Sequence, residues 1–160
     1  FKKFLSITAQ DDFRNIGKTF LHGISGVETL ASILILANKK FIIVADSDKP
    51  SSDKRKDFEK NYSEYKDCWL AYGDIEKCIS TLEDFVNSSV IEKVINENGY
   101  PDFKYNNNKN AIENIETCIK DREEKQKIKR LIIDRVLKKE DFKSSYIGFV
   151  NAIREKMSAL

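Results

Sequence analysis

Apolar side chains recur at helical spacing at Phe1, Phe4, Leu5 and Ala9, so the chain opens on what reads as the tail of a helix begun further upstream. Lys18 to His22 is a short strand candidate. The glycines of Gly23-Ile-Ser-Gly26 suit a tight turn ahead of a mostly apolar helix from Val27 to Asn38. Phe41-Ile-Ile-Val-Ala45 is a continuous apolar, β-branched run, the pattern of a strand buried on both faces. Pro50-Ser-Ser-Asp53 signals the start of a charged helix from about Lys54 to Tyr65, and Cys68 to Tyr72 reads as a further strand closed by Gly73-Asp74. Strands alternating with helices in this way predict a parallel sheet covered on both faces.

Beyond Ser80 the strand signals stop. Ser80 or Thr81 is placed to cap a helix through Leu82, Phe85, Val86 and Val90 toward Ile95, and a loop with an asparagine run follows from Asn96 to Asn110. Two helices are expected between Ala111 and Lys139, because the stripes Ile112/Ile115/Ile119 and Ile128/Leu131/Ile132/Val136 are separated by the charged run Lys120 to Lys127. A last helix, Ser144 to Met157, is expected to turn Ile147, Val150 and Ile153 inward.

Composition narrows the class. At 160 residues the chain fits one domain with a real core, and 41% hydrophobic against 34% charged residues, with two prolines and six glycines, excludes a disordered or fibrous protein. Cys68, Cys78 and Cys118 are odd in number and lack CxxC spacing, which argues against a disulfide framework or zinc site and for a reducing cytoplasm. The longest apolar stretch, Ala31 to Ala37, is too short to cross a bilayer, so no membrane role is expected. A net charge of +2 selects no partner, but between Lys104 and Lys139 eleven Lys or Arg stand against six Asp or Glu. That local excess suits a phosphate backbone held without reading sequence, although a charged helical surface is usually just solvated.

The segment most open to chemical interpretation is Phe41-Ile-Ile-Val-Ala-Asp-Ser-Asp48. Residues two apart on a strand point the same way, so Asp46 and Asp48 present two carboxylates at the carboxyl edge of a parallel strand, where open α/β sheets bind ligands. A hard cation such as Mg²⁺ takes a few carboxylates plus waters and phosphate oxygens, and it relieves the repulsion between them. A loop and helix cap is the alternative reading of the same two residues. Haloacid-dehalogenase-type phosphatases also use a DxD, but Pro50 breaks their pattern, and the separate aspartate and lysine of response-regulator receivers are not found. Glycosyltransferases that hold a nucleotide-sugar through DxD stay open. His22 suits capping or packing, and Trp69 suits the core.

Taken in order, the glycine turn and helix HGISGVETLASILILA, the strand with DSD, the charged helix, the strand DCWLAY and then TLEDFV resemble the TOPRIM domain of the OLD family of ATPase-coupled nucleases, over roughly residues 1 to 90. The implied fold is α/β: a TOPRIM-like parallel sheet flanked by helices over 1–95, lacking its first strand, with a helical extension packed on the same domain over 96–160. In that family a strand ending in a glutamate-glycine motif precedes the helix that would match FKKFLSITA, so the catalytic glutamate is expected upstream of Phe1. Glu28, inside the helix after the glycine turn, is read as a surface residue and not a replacement.

The resemblance further makes Asp46 and Asp48 ligands for Mg²⁺ or Mn²⁺, Glu83 of Thr81-Leu-Glu-Asp84 a third acidic ligand with Asp84 close by, and Lys143 of DFKSSYIGF the catalytic lysine. Outside the family context Glu83 and Asp84 read as first-turn carboxylates facing a helix dipole, and Lys143 as a solvated lysine. The implied function is metal-dependent hydrolysis or nicking of DNA, with an ATPase domain in cis or as a partner subunit, homo-oligomerisation through that ATPase region, and a role in bacterial or phage defence. The chain alone is expected to be inactive for want of the glutamate. Two rivals are a DxD-type nucleotide-sugar transferase and a non-catalytic TOPRIM-like assembly domain. Asp46, Asp48 and Glu83 are expected to converge, and replacing either aspartate by alanine is expected to stop cleavage while leaving folding intact.

Overall fold

The computed structural model describes residues 1–9, 13, 16–19, 21 and 23–159. Its elements in chain order are α1 (Lys2–Thr8), α2 (Val27–Leu36), β1 (Ile43–Ala45), α3 (Lys49–Asn61), β2 (Trp69–Ala71), α4 (Ser88–Glu97), α5 (Ala111–Cys118), α6 (Arg122–Arg135) and α7 (Ser144–Ala159). β1 and β2 pair in parallel, with Ile43 opposite Trp69, Val44 opposite Leu70 and Ala45 opposite Ala71. The fold is therefore mostly helical around a small parallel sheet.

Alternation along the two strands distributes the helices. Ile43, Ala45, Trp69 and Ala71 pack with Val27, Ala31 and Phe58, which brings α2 and α3 to one face. Ile42, Val44 and Leu70 turn the other way, onto the larger core built by α1 and α4 to α7. Aromatic rings at the centre of that core meet edge-on or stacked, from 4.5 Å between the Phe142 and Tyr146 centroids to 5.7 Å between Phe4 and Tyr146. Lys3 donates to the Ile133 and Asp134 carbonyls at 3.0 and 2.6 Å, satisfying acceptors near the carboxyl end of α6 and fastening α1 to it.

Several elements differ from the sequence expectation. The strand expected over 41–45 is regular only over Ile43–Ala45, and Ile42, Ile43 and Val44 are half-buried, because β1 has one strand neighbour among the described residues. Lys18, Thr19 and Leu21 lie in no strand, while Phe20 and His22 of the same segment are outside the described residues. Helix α3 begins five residues before Lys54: Asp48 caps it, and Pro50 is accommodated in the first turn, where a missing N–H costs nothing. The single helix expected from Thr81 to Ile95 is broken. Leu82–Phe85 is a 3-10 turn, Val86 forms an antiparallel bridge with Phe142, and α4 starts only at Ser88. Ile147 is 42% exposed, since α7 faces the core through Tyr146, Phe149, Val150 and Ile153 instead. No helix among the described residues is long and apolar enough to cross a membrane.

Candidate metal centre

Parallel pairing puts the carboxyl ends of β1 and β2 at one edge, and the chain segments beyond them are tied together there. Gly73 N–H donates to Ser47 Oγ at 2.6 Å, and Ser47 N–H donates to the Ser80 carbonyl at 2.8 Å. A β-carbon on residue 73 would lie 2.9 Å from Ser47 Oγ and 3.3 Å from the Ile79 carbonyl, so the close approach needs glycine. The Asp46-Ser-Asp48 turn is thus clamped between the segment after β2 and the one leading to Glu83.

Asp46 is accessible to solvent yet surrounded by protein. Loss of hydration, then the charges of Asp48 and Glu83, push its pKa up to about 6, against a smaller opposing effect of Lys129. Glu83 and Asp46 also act on Tyr72, whose buried phenol is held far above its usual range chiefly by burial.

Each carboxylate has its own attachments. Asp48 Oδ1 accepts from Ser51 N–H at 2.9 Å, which is the helix-capping alternative realised in geometry. Glu83, buried in the 3-10 turn, faces Lys129 Nζ of α6 at 3.3 Å. Asp84 accepts through Oδ2 from the N–H groups of Ser80 and Thr81, both at 2.9 Å, and from their hydroxyls, and through Oδ1 from Ala111 N–H at 2.6 Å. Both Asp84 oxygens are therefore committed to joining the turn to the start of α5.

Lys143 stands just before α7, its backbone N–H donating to the Phe85 carbonyl at 2.8 Å and its ammonium 5.7 Å from the centre of the Tyr105 ring. It is thereby fixed to the segment that carries Glu83 and Asp84. The cation that acts on Asp46, however, is Lys129, which sequence reasoning passed over as part of a charged helix. Helical spacing offered no signal for it, because its partner lies 46 residues away in the chain. Glu28 is partly buried in the first turn of α2 and pairs through Oε1 with Lys54 at 3.2 Å, away from the DSD turn in sequence and not one of the charges that act on Asp46.

The donor chemistry fits a hard divalent cation: the groups are carboxylate oxygens, and burial first, then the charges of Asp48 and Glu83, raise the pKa of Asp46. As placed, the groups do not close on one point. Among the described residues no three His, Cys, Asp or Glu side chains stand together closely enough to hold a metal ion. Compared with known proteins, the chain matches no family model, no curated protein and no solved structure.

Proposed function

We propose that the chain is the greater part of a TOPRIM-like, metal-dependent nuclease domain of the OLD type, acting on DNA together with an ATPase domain in cis or as a partner subunit. One observation carries the reading: Asp46-Ser-Asp48, just past the carboxyl end of a parallel strand, is tied through Ser47 N–H to the Ser80 carbonyl and so to the turn that carries Glu83. This brings carboxylates from two sequence-distant segments to one edge, where Asp48 and Glu83 repel Asp46. Repulsion of that kind is relieved by a divalent cation. Bound there, Mg²⁺ or Mn²⁺ would act as a Lewis acid on a phosphodiester and make a nearby water more acidic.

In this reading Asp46 and the free oxygen of Asp48 orient the cation. Glu83 is the third acidic group, reached once its carboxylate turns from Lys129. Asp84 holds the turn in place, and Lys143 and Lys129 supply positive charge toward the phosphate oxygens. A homo-oligomer built through the ATPase region, cytoplasmic location and a part in bacterial or phage defence belong to the same proposal.

The non-catalytic assembly reading has one observation in its favour, the lack of three converging ligands among the described residues. Cleavage assays on the full-length protein decide between the two. Nicking or degradation of DNA is expected only with Mg²⁺ or Mn²⁺, and both Asp46→Asn and Asp48→Asn are expected to lower the rate by at least about a hundredfold. Asparagine is the right replacement at 48 because it preserves the helix cap, whereas alanine removes about 1 kcal/mol of capping. Through the Ser51 hydrogen bond, Asp48→Ala costs this cap and some stability, and the variant is still expected to fold. Full activity in both variants would remove the nuclease assignment, and metal uptake that requires a nucleotide-sugar would favour the transferase.

A further inference from the structure

Helix α6 sorts its cations by direction. Lys125, Lys129 and Arg135 turn toward the protein and pair with Glu116, Glu83 and Glu97. Arg122, Lys127 and Arg130 instead line an open depression of about 600 Å³ with Glu123, Gln126 and Leu131. None of these three cations has an ion-pair partner among the described residues, and all three are exposed.

Unpaired cations are ordinary on a helix surface, but their spacing and position here are more specific. Arg122 and Arg130 are eight residues apart, about 12 Å along the helix axis. Laid parallel to a duplex axis, that length covers roughly three to four phosphate steps of one strand at about 3.4 Å of axial rise each. The depression is too open to enclose a small anion, and two of its three cations are arginines, whose planar fork suits paired phosphate oxygens. Lys129, adjacent to Arg130 in the chain, is the residue bound to Glu83. A strand lying along Arg122, Lys127 and Arg130 is therefore held on the helix whose other side meets the acidic edge through Lys129.

We propose that this face of α6 is the nucleic-acid track of the protein: it binds the phosphate backbone without reading sequence and delivers it to the Asp46–Glu83 region. The placement of that track rests on the nuclease reading. Binding itself does not, and it is measured without divalent cations.

The test is fluorescence-anisotropy binding of the chain to a labelled duplex of random sequence in EDTA, over a series of salt concentrations. Arg122→Glu, Lys127→Glu and Arg130→Glu together are expected to weaken binding by roughly tenfold to a hundredfold at 0.1 M salt and to flatten the log–log salt slope by about 2 to 3. The milder set Arg122→Gln, Lys127→Gln and Arg130→Gln should give a smaller loss in the same direction, and thermal melts verify that both sets stay folded. A control reversal at the exposed Lys39, Lys40 and Lys60 should change affinity by no more than about threefold, since screened distant charges act weakly. Affinity unchanged by the α6 reversal overturns the proposal. So does a chain that binds anionic vesicles but no duplex, or one equally sensitive to the control reversal. If binding falls as expected while full-length protein never cleaves DNA, the track stands and the nuclease reading falls.

Discussion

An isolated aspartate titrates near 3.8, whereas Asp46 is held at about 6 by lost hydration and by Asp48 and Glu83, which gives the residue a signature measurable with no metal present. Its folded-state pKa lies above the unfolded one, so the ionised carboxylate weakens the fold. Below about pH 4 the group is protonated in both states and contributes nothing. Between about 4 and 6 the native state binds more protons than the unfolded state, so stability falls as pH rises, and above about 6 the penalty is complete. Asp46→Asn is therefore expected to raise the melting temperature at pH 7.5 by a few degrees at most, because the exposed side chain is screened, and to leave it unchanged at pH 3.5. Thermal melts of the two proteins across pH 3.5 to 8 measure this directly. Parallel curves would show that the carboxylate does not experience its neighbours. Asp48, two residues on, has the more structural attachment through Ser51, so the pair that looks equivalent in sequence is inequivalent in the fold.

Elements recorded in local periodicity were legible in the chain, and those that depend on distant partners were not. Phe4 and Leu5 mark α1, the stripes through Ile115 and through Ile128 and Ile132 mark α5 and α6, and the apolar run before Asp46 marks β1. The break after Phe85 was invisible because its cause, the bridge from Val86 to Phe142, reaches across 56 residues. Much of the candidate site divides in the same way. The DSD turn could be read from the strand before it, but Lys129 became part of the site only through packing of α6 on the 3-10 turn. Asp84 shows what such packing costs to undo. The residue is 2% exposed and accepts from Ser80, Thr81 and Ala111, so Asp84→Ala would leave the buried Ala111 N–H and the half-buried N–H groups of Ser80 and Thr81 unpaired. A loss of about 3 kcal/mol or more in urea denaturation is expected, the same with and without Mg²⁺. A stability loss appearing only when Mg²⁺ is present would instead assign Asp84 to the cation.

At the scale of the whole molecule, a boundary near residue 95 separates strands from helices in sequence but does not separate two cores. Phe4, Leu5, Leu70, Tyr72 and Phe85 belong to the same buried cluster as Ile115, Ile128, Ile132, Tyr146 and Phe149. The smaller cluster beneath α2 and α3 has six buried members among the described residues and shares β1 and β2 with the larger one. Lys3 fastens α1 to α6, and Phe4, fully buried, meets Phe142 and Tyr146 edge-on. Cutting the chain after residue 95 would expose the aromatic centre of the core on both pieces, and burial of each large side chain there is worth roughly 1.5–3 kcal/mol. With total stability for a domain of this size in the range of about 5–15 kcal/mol, neither piece retains enough to fold. The chain is therefore expected to unfold in one transition, with far-UV and near-UV circular dichroism coinciding in urea, and residues 1–95 and 96–160 made separately are expected to lack near-UV signal. Phe4→Ala should lower the stability of the whole by about 3–5 kcal/mol and shift both probes together. Two resolved transitions, or a folded 96–160 fragment, would show that the helices form a unit of their own and that the acidic edge is assembled by docking after folding, not by one core.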